Sequence, residues 1–448
     1  RTAKNLILGA FVFAAAQALR AAETKKGASH RRATVNAMRT QDGGSRSLLL
    51  LVVVAIGATW SLSAGALTIA PCVTQALMRC GTSNYNHVDP WATAMLTASV
   101  ILAFLVYRGV RFAGTAVLLY AVTLGVVNRA FRFLQLWVSD VINATREALG
   151  VLFAGGNPYL HDYLTTLPAH SPFPYLPGEL LFYGIPYALF HSIDLVDLVT
   201  GIATVVLLAL LAPIVGVARA ALCVALYATF ELAAATSVDG TNDGGAAFVL
   251  LAATVALAWV EYARGRAWAR IASALSIASA VFLAWALLFK ATTWPFLPFF
   301  AVYLWRRDAN DAKRYLALVG AIVALAIIPF LFPDPSGFFG NVYRGFVFNQ
   351  YFYGLTIWTG LTNAGAVIDP ATRGISILFA FAVIGMFLTL IFMPARSTGG
   401  VLARGVAVIA IALLFAHFAT SSYYAFAGTL FIGAIALGAR TDEEPRDD

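Results

Sequence analysis

The polar residues that could do chemistry are concentrated in one stretch, 139–178, set among long apolar blocks. It opens on Ser139-Asp140, directly after Leu134-Gln135-Leu136-Trp137-Val138. In a helix continuing from Asp140, the residues Asn143, Ala144 and Glu147 fall on its face, Glu147 two turns on. An acid at a membrane mouth, with a second acid one or two turns away, suits general-base or metal-bridging work. The same Asp140 could instead cap the helix running through Thr145-Arg146-Glu147-Ala148-Leu149, and residue types alone leave both roles open. His161 and Asp162 follow as groups able to bind an acceptor or a metal, while His170 has no distinguishing feature. Asn143-Ala144-Thr145 forms a glycosylation sequon.

Two further segments shape this stretch. Gly155-Gly156-Asn157-Pro158-Tyr159 reads as a helix stop and turn, and Phe173-Pro174-Tyr175-Leu176-Pro177-Gly178 as an extended aromatic lead into an apolar segment. Elsewhere ionisable groups are rare. Lys290 stands at the end of an apolar block, where a cation is costly without an anionic partner or access to water. Snorkelling to lipid headgroups is its other explanation.

The elements that must position these residues are membrane helices. Hydrophobic residues make up 60% of the 448 positions and charged residues only 12%, about half the charge of a soluble domain. Mean hydropathy is +0.78. Apolar blocks of this length satisfy their backbone in lipid only as helices, and the alternation of an outer-membrane barrel is missing. The blocks run at about 48–70, 91–107, 112–128, 197–217, 219–236, 246–262, 271–289, 293–305, 315–332, 374–393, 403–418 and 423–439. The expected fold is therefore all-α, a polytopic bundle of about 12 spans. Net charge is +8, but Lys and Arg fall in short loops, which argues for topology-setting charge and against nucleic-acid binding.

Those charges orient the chain. Arg20, Lys25, Lys26, Arg31, Arg32, Arg39 and Arg46 place the start of the first firm span on the cytoplasmic side. Cys72 and Cys80 then share one outside loop, where a disulfide could form, while Cys223 sits in an apolar block as a small core residue. Arg264, Arg266 and Arg270, then Arg306, Arg307, Lys313 and Arg314, then Arg396 and Arg404, form three basic turns. All three lie inside if 177–190 enters the bilayer without crossing, as a half-helix interrupted at Gly184 and Pro186. Two long outside loops result, 129–196 and 333–373. No metal-binding Cys/His pattern is present and no soluble domain of useful size. Because the chain begins on Arg1, residues 1–37 are read as an upstream or partial segment, with Met38 a natural start.

In this order the features resemble a known family. Ser-Asp, a short amphipathic helix, Gly-Asn-Pro-Tyr and then Tyr-x-Pro-Gly is the order of features in the multi-span glycosyltransferases of the GT-C superfamily, particularly glycosyltransferase family 87 and its polyprenyl-phosphate-mannose-dependent relatives. Asp239-Gly240-Thr241-Asn242-Asp243-Gly244 resembles that family's Gly-x-Asn-Asp turn. Phe289-Lys290-Ala291-Thr292-Thr293-Trp294-Pro295, with the following helix to Trp305-Arg306-Arg307, resembles its Lys-containing turn, and Pro333-Asp334-Pro335 also fits. The likeness covers about residues 112–430. Its divisions are a basic segment 1–47, two extra N-terminal spans in 48–111, the GT-C-like domain 112–440 and a cytoplasmic tail 441–448. The family places its acid after its first span, whereas two spans precede that one here.

The resemblance implies a reaction: a sugar passes from a polyprenyl-phosphate carrier to a lipid or glycan acceptor on the non-cytoplasmic face, with inversion. Asp140 corresponds to the catalytic base. The donor phosphate needs fixed positive charge, for which Lys290 comes first, then Arg344 and Arg146. Glu147, Asp162, Asn242 and Asp243 are candidates for acceptor or sugar contacts. His417 joins them, since some relatives use a late histidine, although a structural role fits it too. The second outside loop is rich in aromatics, among them Tyr343, Phe346, Phe348, Tyr351, Phe352, Tyr353 and Trp358. It reads as an interfacial belt, or as a lipid-chain cover and a sugar-stacking surface in which Asn349 and Gln350 bond hydroxyls. No cofactor is expected; a lone Asp without a nearby Asp-x-Asp favours metal-independent transfer, though Glu147 or Asp162 could supply a second ligand to a divalent metal. Mannose is the leading sugar as the family's commonest donor, and a prokaryotic cell membrane the expected location. The competing reading is a polytopic transporter, or a lipid-linked saccharide flippase or polymerase. It is disfavoured because coupled transporters carry ionisable groups at mid-membrane depth, whereas these spans look nearly uncharged.

Overall fold

Apolar runs that find no hydrogen-bond partner in lipid must close their backbone bonds within helices, and this chain does so almost throughout. A computed structural model describes residues 44–57, 90–133, 139–166, 170–266, 268–347, 352–369, 373–393 and 395–438. The helices are α1 Gly44–Gly57, α2 Pro90–Tyr107, α3 Ala113–Phe133, α4 Asp140–Phe153, α5 Pro177–Phe190, α6 Val196–Ala209, α7 Ala212–Val215, α8 Val217–Thr229 and α9 Glu231–Thr236. There follow α10 Asp243–Arg264, α11 Ala269–Phe289, α12 Leu297–Arg307, α13 Ala309–Leu331, α14 Pro335–Val347, α15 Ile357–Asn363, α16 Arg373–Phe392, α17 Thr398–Phe415 and α18 Ser421–Leu437. Two 3-10 turns, Pro158–Leu160 and Ala291–Phe296, and two short strands, β1 Tyr353–Gly354 and β2 Phe418–Ala419, complete the described elements.

Among the described residues six helices are long and apolar enough to cross a membrane, and five shorter apolar helices accompany them. The protein is thus mostly helical, with six candidate spans among the described residues; not every apolar block read from hydropathy is one long helix. The block 293–305 shows why. Pro295 lies in a 3-10 turn and Pro298 in the first turn of α12, which is 11 residues long. Such a helix rises only about 16 Å, half a bilayer core.

Helix α10 is the centre of the bundle, packed by α11, α18 and α6. Its alanines, Ala246, Ala247, Ala253 and Ala258 among them, are buried. Small side chains let helix backbones approach closely where lipid supplies no hydrophobic drive. By contrast α13 buries little of its surface, with Leu325 and Ile328 exposed, the pattern of a lipid-facing span.

Helix α5 runs unbroken through Gly184 and Pro186 for 14 residues and ends at His191, whose φ is +52°. Its rise of about 21 Å is short of a full crossing. It lies on the end of α11: a Cβ on Gly178 would fall 2.7 Å from the backbone carbon of Leu288, and Trp285 Nε1 donates to Gly178 O at 2.8 Å. With His191 exposed, the half-helix topology makes a checkable prediction. A His191→Cys variant, with Cys72 and Cys80 replaced by Ser, reacts with an impermeant thiol reagent added outside the cell. Labelling only from the cytoplasmic side refutes the topology.

Several sequence expectations fall on residues outside the described ones: the Cys72–Cys80 disulfide, Tyr351, Asn349, Gln350, the basic residues between 20 and 39, and the 441–448 tail.

Candidate functional site

The site is built where helix ends meet. Ser139, not Asp140, caps α4: its Oγ accepts from Val141 N at 3.0 Å. Asp140 is the first helical residue, where a carboxylate faces the positive end of the helix dipole, and it is half-buried. Ser139 N donates to Asp239 O at 2.8 Å, which joins the start of α4 to the turn before α10. That turn holds itself together, because Asp239 Oδ1 accepts from Thr241 N and Thr241 Oγ1. Gly240 has φ +74°, and a Cβ there would come 2.7 Å from Ile142 Cβ on α4. Only glycine allows both the left-handed backbone and the contact.

Asn242 follows at φ +57°, a left-handed conformation that asparagine tolerates better than most residues, and it is 1% exposed. Its side chain sits between two charged groups. Asn242 Nδ2 donates to Glu179 Oε2 at 2.9 Å, and Asn242 Oδ1 accepts from Lys290 Nζ at 3.0 Å. Lys290 Nζ also donates to Asp243 Oδ1 at 2.7 Å. The rings of Tyr175 and Tyr423 flank the ammonium with centroids 5.6 and 4.5 Å away, geometry in which aromatic faces stabilise a cation. Glu179 completes the chain through Thr145 on α4, Oε1 to Oγ1, at 2.7 Å.

The charged groups lie at helix ends. Asp140, Glu179 and Asp243 occupy the first turns of α4, α5 and α10, Lys290 follows the last residue of α11, and Tyr423 is in the first turn of α18. Tyr175 links the two halves: its hydroxyl is pushed far up by burial and by neighbouring negative charges that include Glu179 and Asp140. Burial raises Glu179 to about 8, although its bonds from Thr145 and Asn242 and the charge of Lys290 oppose the rise. Asp239 is raised to about 6, chiefly by burial. For Lys290 burial opposes the charge, yet the adjacent Asp243 outweighs it and holds the ammonium above the usual lysine range.

The second long loop is tied to the same end. β1 pairs in parallel with β2, Tyr353 N donates to His417 O at 3.1 Å, and Trp358 Nε1 donates to Phe415 O at 2.8 Å. The Tyr424 hydroxyl donates to Leu355 O. His417 therefore lies beside the aromatic segment, its ring edge-on to Phe352 at 5.5 Å. Its Nε2 is buried and has no hydrogen-bond partner, and burial lowers its basicity.

Of the residues singled out from sequence, Asn242, Asp243 and Lys290 come together; the start of Asp140's helix is bonded to their turn, and Asp140 lies near enough to Tyr175 for its charge to act there. Trp358 and His417 lie in the loop segment tied by β1 and β2. Others are engaged elsewhere. Glu147 does not work with Asp140; it pairs with His161 Nε2 at 2.8 Å and accepts from Thr165 at 2.6 Å. Asp162 pairs with His170 at 2.8 Å. Arg146 forms an exposed ion pair with Asp194 at 2.5 Å. Arg344 lies in α14. Among the described residues, no three His, Cys, Asp or Glu side chains are grouped to hold a metal ion.

Sequence reasoning missed Glu179, Asp197, Asp239, Tyr175 and Tyr423. Asp197 is 4% exposed and accepts from the Tyr183 hydroxyl at 2.6 Å. The spans are therefore less free of charge than their hydropathy suggests. Glu179 and Asp197 were visible as acids at the head of apolar segments, a position that in a membrane helix argues for function; Asp239 was visible only as part of a turn.

Comparison with protein-family models, with curated proteins and with solved structures finds no match.

The arrangement offers a half-buried carboxylate, Asp140, on a helix bonded to the turn that carries a buried cation–carboxylate pair. A carboxylate there can take a proton from a hydroxyl, and a fixed ammonium can stabilise charge developing close by.

Proposed function

We propose that this chain is an inverting GT-C-type glycosyltransferase that moves a sugar, with mannose the leading candidate, from a polyprenyl-phosphate carrier to a lipid or glycan acceptor. The observation that supports it most is the convergence of Asp140 with Asn242, Asp243 and Lys290, residues from three separate motifs of the resemblance, at one end of a membrane bundle. In this reading Asp140 accepts the proton of the acceptor hydroxyl as its oxygen attacks the anomeric carbon. The bond from that carbon to the phosphate oxygen breaks, and the polyprenyl phosphate departs with the electron pair. Lys290 stabilises the departing phosphate electrostatically. Arg146, six residues along the helix that begins at Asp140, and Arg344 are the secondary cations. The segment around Trp358 supplies a stacking surface beside the site. The working face is the non-cytoplasmic side of a prokaryotic cell membrane, and the catalytic step uses no cofactor.

The buried Glu179, Asp197 and Asp243 give the transporter reading some force, since intramembrane acids mark ion pathways. Their depth favours transfer instead. They sit in first turns at one end of the bundle, whereas coupled transporters place such groups near the midplane in broken helices. The test is direct. Membranes containing the protein, incubated with radiolabelled polyprenyl-phosphate-mannose and lipid extracts, yield a labelled product that control membranes do not. No transfer from any polyprenyl-phosphate sugar overturns the proposal and favours transport.

A further inference from the structure

The hydrogen count around Glu179 fixes where a proton sits. Thr145 Oγ1 lies 2.8 Å from Val141 O and 2.7 Å from Glu179 Oε1. A threonine hydroxyl has one hydrogen to give. Helical threonines turn it back onto the carbonyl four residues earlier, and the hydrogen of the second contact then comes from the carboxyl. The other oxygen, Oε2, faces only a donor: Asn242 Oδ1 is held by Lys290 Nζ, which orients the amide with Nδ2 toward Glu179. A proton on Oε1 satisfies both contacts with separate hydrogens, whereas with a carboxylate Thr145 must divide its one hydrogen between Val141 O and Oε1. Full burial of Glu179 agrees with a neutral group.

The same carboxyl joins three elements. Thr145 belongs to α4, which begins at Asp140; Glu179 belongs to α5; and Asn242 belongs to the turn that carries Asp243 and grips Lys290. We propose that Glu179 is a neutral carboxylic acid acting as a positioning residue, pinning the helix of Asp140 to the turn that holds Lys290 and Asp243. The mechanistic part rests on the glycosyltransferase reading; the protonation and the pinning do not. The titratable and charged groups that face Glu179 are Lys290, Asp197, Tyr159, Tyr163, Tyr175 and Tyr183. Lys290 is already paired with Asp243 at 2.7 Å.

Because the folded Glu179 titrates near 8, above its unfolded value, its contribution to stability is complete below the ordinary glutamate range and is lost as pH rises through about 8. Glutamine reproduces the proposed state: Nε2 donates to Thr145 Oγ1 and Oε1 accepts from Asn242 Nδ2.

The experiment compares wild type, Glu179→Gln and Glu179→Ala as purified full-length protein. With polyprenyl-phosphate-mannose as donor, Glu179→Gln keeps kcat within about twofold and loses the alkaline decline of the wild type. Glu179→Ala lowers kcat about 10- to 100-fold at unchanged donor KM, the cost of a misaligned base. A folded but inactive Glu179→Gln, or a Glu179→Ala that alters KM alone, overturns the positioning role. If Glu179→Ala does not fold, Thr145→Val, which removes one contact and keeps the carboxyl, takes its place with the same outcomes. Infrared difference spectra of wild type against Glu179→Gln at neutral pH show a protonated-carboxyl band. Its absence overturns the assignment whatever the transfer result. Should wild type transfer no sugar, the function proposal fails alone. The pinning is then judged by hydrogen exchange, which rises together in 140–150 and 239–246 when Glu179 is truncated; no change there overturns it.

Discussion

An Asp140→Asn variant loses sugar transfer by about 10²- to 10⁴-fold, the range that a positioned general base supplies, while the fold stays intact. The reason lies in local geometry. Ser139 provides the cap of α4 and its backbone N–H anchors the helix to Asp239 O, so neither task falls to the Asp140 side chain. Asparagine keeps the shape while removing the charge and exchanging one acceptor oxygen for a donor, and the lost helix-dipole interaction costs roughly 0.3–1 kcal/mol. The asparagine amide cannot take the proton of an attacking hydroxyl at neutral pH. The measurement is initial rate against acceptor in membranes carrying equal amounts of each protein, with a thermal melt as the control for folding. Transfer at the wild-type rate from Asp140→Asn removes Asp140 from the base role and leaves it as a helix-end charge.

The second large effect concerns the Lys290–Asp243 pair. Their side chains are 10% and 2% exposed. Removing one member of a buried pair leaves the other charge uncompensated, which costs about 3–5 kcal/mol. Asp243→Leu is therefore expected to melt far below wild type in detergent. The double variant Asp243→Leu/Lys290→Met removes both charges together, and a buried pair replaced by apolar groups is often neutral in stability. It recovers most of the lost stability and remains inactive, because the cation for the departing phosphate is gone, an effect of about 10²- to 10³-fold. A double variant that regains transfer as well as stability reduces Lys290 to a structural role. A single variant as stable as wild type would mean that Lys290 reaches water or another anion.

These two predictions also mark how far the sequence could be read. Asp140 was legible because it opens a polar segment after a hydrophobic one, and Lys290 because a cation at the end of an apolar helix needs an explanation. Only the resemblance put the two in one reaction; their spacing does not. Asp140 and Lys290 are separated by α5 through α11, and no periodicity spans such a distance. Glu147 shows the converse. Its spacing from Asp140 places it on a shared helical face, yet its carboxylate is bound by His161 and Thr165. Helical spacing says which residues share a face and nothing about which neighbours that face meets.

Composition alone determined that this is a mostly helical chain with membrane-spanning segments, because a backbone in lipid has few ways to satisfy itself. The apolar runs located the helices, except where prolines divided 293–305 into a turn and a short helix. The tertiary structure alone decided the partner of each charge. Asp243 neutralises Lys290, Asn242 bridges Lys290 to Glu179, and Glu179 joins the helix of Asp140 to both. Such pairings depend on which helix ends pack side by side. That is set by small residues, by Gly178 against Leu288 and by Gly240 against Ile142, over sequence distances where local propensity carries no information.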